Sequence, residues 1–232
     1  MSQPNRIGAL GQVDRSKTFE FSFDDVHYAG HPGDTLASAL LANGVRLMGR
    51  SFKYHRPRGV LTAGSEEPNA LVELHEGARR DPNTRATTVE LYDGLVAHSQ
   101  NRYPSLKHDL LEVNDLFAPF LGAGFYYKTF MWPAAFWEKL YEPLIRQAAG
   151  LGALSGQEDP DTYDKGYLHC DLLVIGAGPA GLTAALVGAR SGLSVVIVDE
   201  QPRTGGQLLH ETFEVDGQPG AEWSHEVESE LR

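Results

Sequence analysis

Residues 171–200 read DLLVIGAGPAGLTAALVGARSGLSVVIVDE, and this stretch decides the fold of the C-terminal third. Leu172–Ile175 is a short continuous apolar run, the pattern of a strand covered on both faces. Gly176-Ala-Gly-Pro-Ala-Gly181 follows it and fits G-x-G-x-x-G. The spacing predicts a helix from Ala180 to Ser191 and a second covered strand over Ser194–Val198. Asp199 ends that strand, roughly 20 residues past the first glycine, where a dinucleotide fold keeps an acid. Each position has a physical task. Gly176 makes the turn, Gly178 lets a pyrophosphate approach the backbone, and Gly181 lets the helix pack close to the strand. Ala180 supplies a backbone donor at the helix N-terminus, whose dipole favours an anion. Asp199, helped by Glu200, is placed to accept from adenosine ribose hydroxyls. Two carboxylates repel a 2′-phosphate, so NAD or FAD is favoured over NADP. Thr204-Gly-Gly-Gln207 then brings Gln207 to a cofactor edge if its glycines fold the loop inward. The competing explanation is an α/β layer whose glycines serve packing alone.

Outward from this unit, composition limits the rest. The chain has 232 residues, 41% hydrophobic and 22% charged, an ordinary globular balance. Its net charge of −11 argues against a phosphate-backbone binder, so no nucleic acid partner is expected. The uncharged run Leu172–Ala189 approaches the length of a membrane span, but Gly176, Gly178, Pro179 and Gly181 interrupt it. No membrane partner is expected, and the N-terminus lacks a signal-peptide core, so a cytoplasmic location is the default. Cys170 is the single cysteine, which excludes an internal disulfide framework, a Cys-only zinc site and a conventional iron–sulfur centre. The nine histidines show no metal-ligand spacing, so no metal site is expected.

The first hundred residues read as strands around one helix. Thr18–Phe23 alternates apolar and polar, Asp24-Asp25 is a turn, and Val26–Tyr28 returns as a hairpin. Asp34 or Thr35 caps a helix over Leu36–Ala42, which Asn43-Gly44 ends. Ala70–Leu74 and Thr87–Tyr92 are further apolar runs. A small α+β domain follows. Arg46, Arg50, Lys53, His55, Arg56 and Arg58 form a basic cluster, either an anion, flavin-phosphate or acidic-partner site or a solvated loop. Glu66-Glu67 and Asp24-Asp25 read as surface charge in turns. Leu116–Trp137 is dense in aromatics, with Lys128 its one cation, and reads as a core connector, with an inter-subunit contact as the second reading. Trp137–Ile145 looks helical, with Pro143 at a bend or boundary, and Gly150–Lys165 reads as a linker.

Several motifs in fixed order carry a resemblance. RLMGRSFKYHRPRG (46–59), EPNALV (67–72), SQNRYPS (99–105) and GFYYKTF (124–130), followed by GAGPAG, look like the α subunit of heterotetrameric sarcosine oxidase. The resemblance implies a complex that oxidises sarcosine to glycine. Electrons pass from FAD to FMN and then to oxygen, giving hydrogen peroxide, and the one-carbon unit goes to tetrahydrofolate as methylene-tetrahydrofolate. It places NAD in this subunit, amine oxidation on the β subunit and FMN near the α/β boundary, with γ and δ subunits as further partners. By motif the NAD contacts would be Gly176, Gly178, Ala180, Gly181, Asp199, Glu200 and Gln207. No catalytic residue is identifiable. An alternative is a subunit of a related FAD-dependent amine or amino-acid oxidoreductase, or a non-catalytic docking module.

The resemblance also divides the chain. Residues 1–100 are expected to form a β-grasp domain like plant-type 2Fe–2S ferredoxins, without cluster cysteines near Arg46–Gly64. Residues 101–166 form an aromatic helical connector and linker. Residues 167–232 begin a Rossmann-type FAD/NAD(P)-binding domain. Members of the family are several times longer, so the chain is expected to be an N-terminal fragment, truncated before the tetrahydrofolate region and inactive alone.

Overall fold

The computed structural model describes residues 3–8, 13–124, 132–148 and 152–232. The chain divides into two compact units, Met1–Pro160 and Asp161–Arg232.

In the first unit, β1 (Phe19–Phe23) and β2 (Val26–Gly30) form an antiparallel hairpin. Asp24 and Asp25 both sit at positive φ, as a two-residue hairpin turn requires. Helix α1 (Leu36–Ala42) follows, then the short pair β3 (Gly49–Arg50) and β4 (Pro57–Arg58). β5 (Leu71–Leu74), β6 (Asp81–Arg85) and β7 (Leu95–Ser99) complete a mixed five-stranded sheet in the order β2-β1-β7-β5-β6. β7 lies parallel to β1 and antiparallel to β5, so a late strand fills the middle of the sheet. Phe21, Phe23, Val72, Leu74, Leu95 and Ala97 point from the sheet onto Leu36, Ala39 and Leu40 of α1, which closes the core.

Thr35 is the N-cap of α1 and forms a capping box with Ser38. Asp34 is buried beneath it, accepting from both terminal nitrogens of Arg6, from Ser38 Oγ and from the His31 N–H. Thr87–Tyr92 is not a strand. Its backbone carries one isolated bridge, Thr35 to Glu90. The α1 N-terminus uses this segment and the residue before it instead: Leu36 N donates to Val89 O and Ala37 N to Ala86 O, while Leu91 N donates to Asp34 O. Those contacts satisfy helix donors that have no partner within the helix.

Glu67 is also not surface charge. It is 1% exposed and accepts four backbone N–H groups, from Leu61, Thr62, Asn69 and Ala70. Burial pushes the Asp34 and Glu67 carboxyls up, but their donors outweigh it and hold both below the ordinary values of 3.8 and 4.5. Their stabilisation is therefore complete above those values and drains away as pH falls through the lower native ones. The thermal midpoint of this unit should stay level from pH 7 to about pH 5 and drop below about pH 4. Arg6→Ala should reduce that acid dependence. A midpoint indifferent to acid, followed by circular dichroism, would contradict the assignment.

Beyond β7, Leu110–Phe117 forms 3₁₀ turns capped by Asp109, and Ala134–Tyr141 continues in 3₁₀ and π turns. Helix α2 (Glu142–Ala148) then begins, so Pro143 marks the junction. The expected core connector does not form among the described residues: Leu116, Phe117, Phe120, Trp132 and Phe136 are all exposed, Trp132 at 84%. Phe125, Tyr126, Tyr127 and Phe130 lie outside the described residues, as does Lys128.

The second unit holds β8 (Leu172–Ile175), α3 (Pro179–Arg190) and β9 (Val195–Val198), with β8 and β9 parallel and paired through their full length. A hairpin, β10 (Glu214–Val215) and β11 (Gln218–Pro219), turns at Asp216-Gly217 and leads into α4 (Gly220–Leu231). Leu182, Leu208, Trp223 and Val227 form its core. The strands are covered on one face only. Val174 is buried, whereas Leu173 and Ile175 are exposed, Ile175 at 82%. Within this unit α3 packs on one side of the two strands and α4 packs against α3, while the face that carries Leu173 and Ile175, which prompted the expectation of two covered faces, is exposed.

Candidate functional site

The three glycines of the turn after β8 have separable reasons to be glycine. Gly176 adopts φ 103°, a left-handed conformation that side chains resist. A Cβ on Gly181 would stand 1.8 Å from Gly176 O, so α3 can approach the turn only without one. Gly178 differs: its backbone is extended, and a Cβ there would meet nothing within 4 Å. The space beside it is open, and it lies at the start of α3, where an anion gains most from the helix dipole.

Gly178 is the N-cap of α3 and provides no side-chain cap. Pro179 at the first helical position has no N–H to satisfy. The first intrahelical bond shown is Leu182 N to Gly178 O. The earlier donors of the first turn, on Ala180 and Gly181, have no side-chain cap and no acidic neighbour in that turn. Ala180 is exposed.

Asp199 is drawn onto the turn. Its Oδ2 accepts from Ala177 N at 2.5 Å and its Oδ1 from Gln201 N at 2.7 Å. Each oxygen keeps further acceptor capacity, so a ribose hydroxyl can still donate to it. The loop after β9 folds inward as well. Gly205 N donates to Ala177 O at 2.8 Å, and a Cβ on Gly206 would lie 3.1 Å from Gly178 Cα. Thr204 ties the same loop to α4 through Glu228, whose carboxyl is held below its usual range first by this bond and then by Arg232. Gln207 is exposed on the single turn Gly206–Leu209, and Glu200 is exposed after β9. The structure thus brings together Gly176, Gly178, Gly181, Asp199 and the Gly205-Gly206 pair, with Ala180 at the helix start. Ala177, bonded on both its N–H and its C=O, had no signal in its residue type.

The basic cluster of the first unit is dispersed. Arg50 is buried and donates to the carbonyls of Leu106, His55 and Lys107 and to Glu112. His55 Nδ1 is 2.6 Å from Asp109 Oδ2, with both side chains buried. Arg56 pairs with Asp115, and Lys53 and Arg56 each stand over the Tyr54 ring. Among the described residues, only Arg46 and Arg58 of the six have no side-chain partner.

Residues 16–102 match the 2Fe-2S iron-sulfur cluster binding domain family, and residues 171–231 match the FAD dependent oxidoreductase family. Sarcosine oxidase subunit alpha of Rhizobium meliloti (strain 1021) is 60% identical over 227 residues, 98% of this chain and 23% of its own length. The subunit alpha of Corynebacterium sp. (strain U-96) is 34% identical over 239 residues, covering 100% of this chain and 20% of its own length. The chain therefore spans under a quarter of these relatives. L-proline dehydrogenase from P. horikoshii has a similar fold, with TM-score 0.52 and 18% identity over 94% of this chain and 32% of that one. A ferredoxin-like domain followed by an FAD-oxidoreductase-type domain is the architecture. An iron–sulfur cluster does not fit the first of them, since residues 16–102 hold no cysteine and Cys170 lies outside. Among the described residues no three His, Cys, Asp or Glu gather as a metal site, and no helix is long and apolar enough to cross a membrane.

Proposed function

From a chain homologous along 98% of its length to sarcosine oxidase alpha subunits, we propose the NAD-binding portion of an oxidoreductase α subunit that works within a sarcosine-oxidising complex. The open space beside Gly178 carries the nucleotide reading. It is the one glycine of the turn that the protein's own packing and conformation leave unexplained.

In this reading the pyrophosphate lies against Gly178 and accepts from the uncapped first turn of α3, including Ala180 and Gly181. Asp199 takes the adenosine ribose, with Glu200 beside it, and their charge disfavours a 2′-phosphate. Gln207 edges the cofactor. The nicotinamide ring would bring the capacity to accept a hydride. The chain's own residues bind and orient, and amine oxidation belongs to the β subunit, with FAD and FMN. Sarcosine yields glycine, hydrogen peroxide and, with tetrahydrofolate, methylene-tetrahydrofolate. The exposed Leu116–Phe120 and Trp132–Phe136 stretch suits contact with β, γ or δ partners or with further chain.

A second reading puts FAD in this turn, favoured by the FAD-oxidoreductase match over residues 171–231. Denaturing the purified complex and separating the released nucleotides distinguishes the two. NAD should appear at one per α subunit, and Asp199→Ala should lower its retention about tenfold. Retention unchanged in Asp199→Ala, or FAD alone lost from that variant, would overturn the NAD assignment.

A further inference from the structure

The first unit contains a cavity of about 340 Å³, large enough for a small organic ligand. Its walls come from four places that the sequence keeps apart, Asn83 of β6 being one of them. Phe52 and Arg58 come from the β3–β4 pair, Asn69 and Leu71 from the entry to β5, and Gln100 and Asn101 from the end of β7. These walls are held by the rest of the fold. Glu67 fixes the backbone at Asn69 by accepting its N–H at 2.6 Å. Gly49 brings β3 so close that a Cβ would lie 3.1 Å from Asn69 O. Asn101 Nδ2 donates to Arg50 O, and Gln100 forms a reciprocal amide pair with Asn83.

The charge in this cavity is unusual for the chain. The protein carries −11 overall, yet among the described residues no carboxylate lines the cavity. Two arginines do, and their states differ. Arg50 spends its guanidinium on three carbonyl groups and Glu112. Arg58 is exposed, and among the described residues its guanidinium has no partner. The Asn69 side-chain amide is likewise without one. Beside them stand an exposed aromatic ring, Phe52, and the side chain of Leu71.

We propose that this cavity binds a small monocarboxylate with an apolar body. Its carboxylate pairs with the Arg58 guanidinium, which matches a carboxylate bidentately, and takes a further hydrogen bond from the Asn69 amide. Its apolar part lies against Phe52 and Leu71. Among the described residues Arg58 is the free cation beside these neutral amides, and one positive charge balances one negative charge, which favours a carboxylate over a phosphate dianion. The site lies wholly within the first unit and does not depend on the dinucleotide reading.

Benzoate is the probe, titrated into the whole chain by calorimetry and by amide chemical shifts. Saturable binding is expected, with shifts centred on Arg58, Asn69 and Asn101. Benzyl alcohol, which has the ring without the charge, should bind at least about tenfold more weakly. Arg58→Gln should weaken benzoate by about tenfold or more, and Asn69→Ala by less. Arg58 is exposed, so a thermal midpoint equal to the parent's will show that the Gln variant remains folded. Absence of saturation, or equal benzoate affinity in folded Arg58→Gln, overturns the proposal. Tighter binding of phenyl phosphate than of benzoate overturns its carboxylate assignment.

Discussion

Gly181→Ala will destabilise the second unit by roughly 3 kcal/mol or more, while Gly178→Ala will leave its stability within about 0.5 kcal/mol. The added methyl at position 181 would lie 1.8 Å from Gly176 O and 3.0 Å from Gly176 C, with Val174 Cγ1 at 3.3 Å. Two of these atoms are backbone and cannot rotate aside. Either α3 lifts from β8, opening the Leu182–Trp223 core, or the turn itself distorts. At position 178 the methyl points into open space from an extended backbone that any residue adopts. Its cost falls on the ligand instead, and dinucleotide affinity should drop about tenfold or more. Denaturant unfolding followed by Trp223 fluorescence, with Trp132 and Trp137 changed to Phe, measures the first effect. Nucleotide retention measures the second. Equal stability losses in the two variants would falsify this division of labour.

Glu67→Ala will cost the first unit about 3–5 kcal/mol, a large share of a typical domain's stability. The carboxylate draws together Leu61, Thr62, Asn69 and Ala70, whose N–H groups reach it at 2.6–3.1 Å. Alanine removes the acceptor and leaves donors without partners at a buried position, which costs more than the bonds themselves contribute. Glu67→Gln should recover only part of the loss. One of its two positions becomes an NH₂ group facing two N–H donors, Leu61 and Thr62 on one side or Asn69 and Ala70 on the other. Neighbouring Glu66 is exposed, so Glu66→Ala should change stability by no more than about 0.5 kcal/mol. A urea midpoint for Glu67→Ala close to the parent's would show that water replaces the carboxylate, and that the loop does not depend on it.

These two residues show how differently the sequence exposes its structure. The glycine turn was legible because its requirements are local: strand, turn, helix and acid occur in one stretch of sequence, and their order carries the geometry. The β1–β2 hairpin and α1 were legible for the same reason, through alternation and capping residues. Glu67 was not, because an acidic pair in a turn looks the same whether it meets water or a ring of backbone donors. The apolar run Thr87–Tyr92 resembles a strand, but its backbone bonds go to the α1 N-terminus, a partner that pattern cannot reveal. The edge strand β6, Asp-Pro-Asn-Thr-Arg, is polar because its exposed position asks for no apolar alternation. The basic cluster looked like one surface, and the fold assigns its members to separate tasks. Among the described residues, only Arg58 is left facing the first unit's cavity with its charge unspent.

Ala177 has one further consequence. Its N–H is fastened to Asp199 and its carbonyl to Gly205, so the glycine turn is clamped between the two loops that follow the strands. A loop already fixed in this way has little freedom to surrender when an anion docks. An anion that binds at such a turn would need no ordering of its backbone, so the entropy cost of fixing the loop would already have been met in folding.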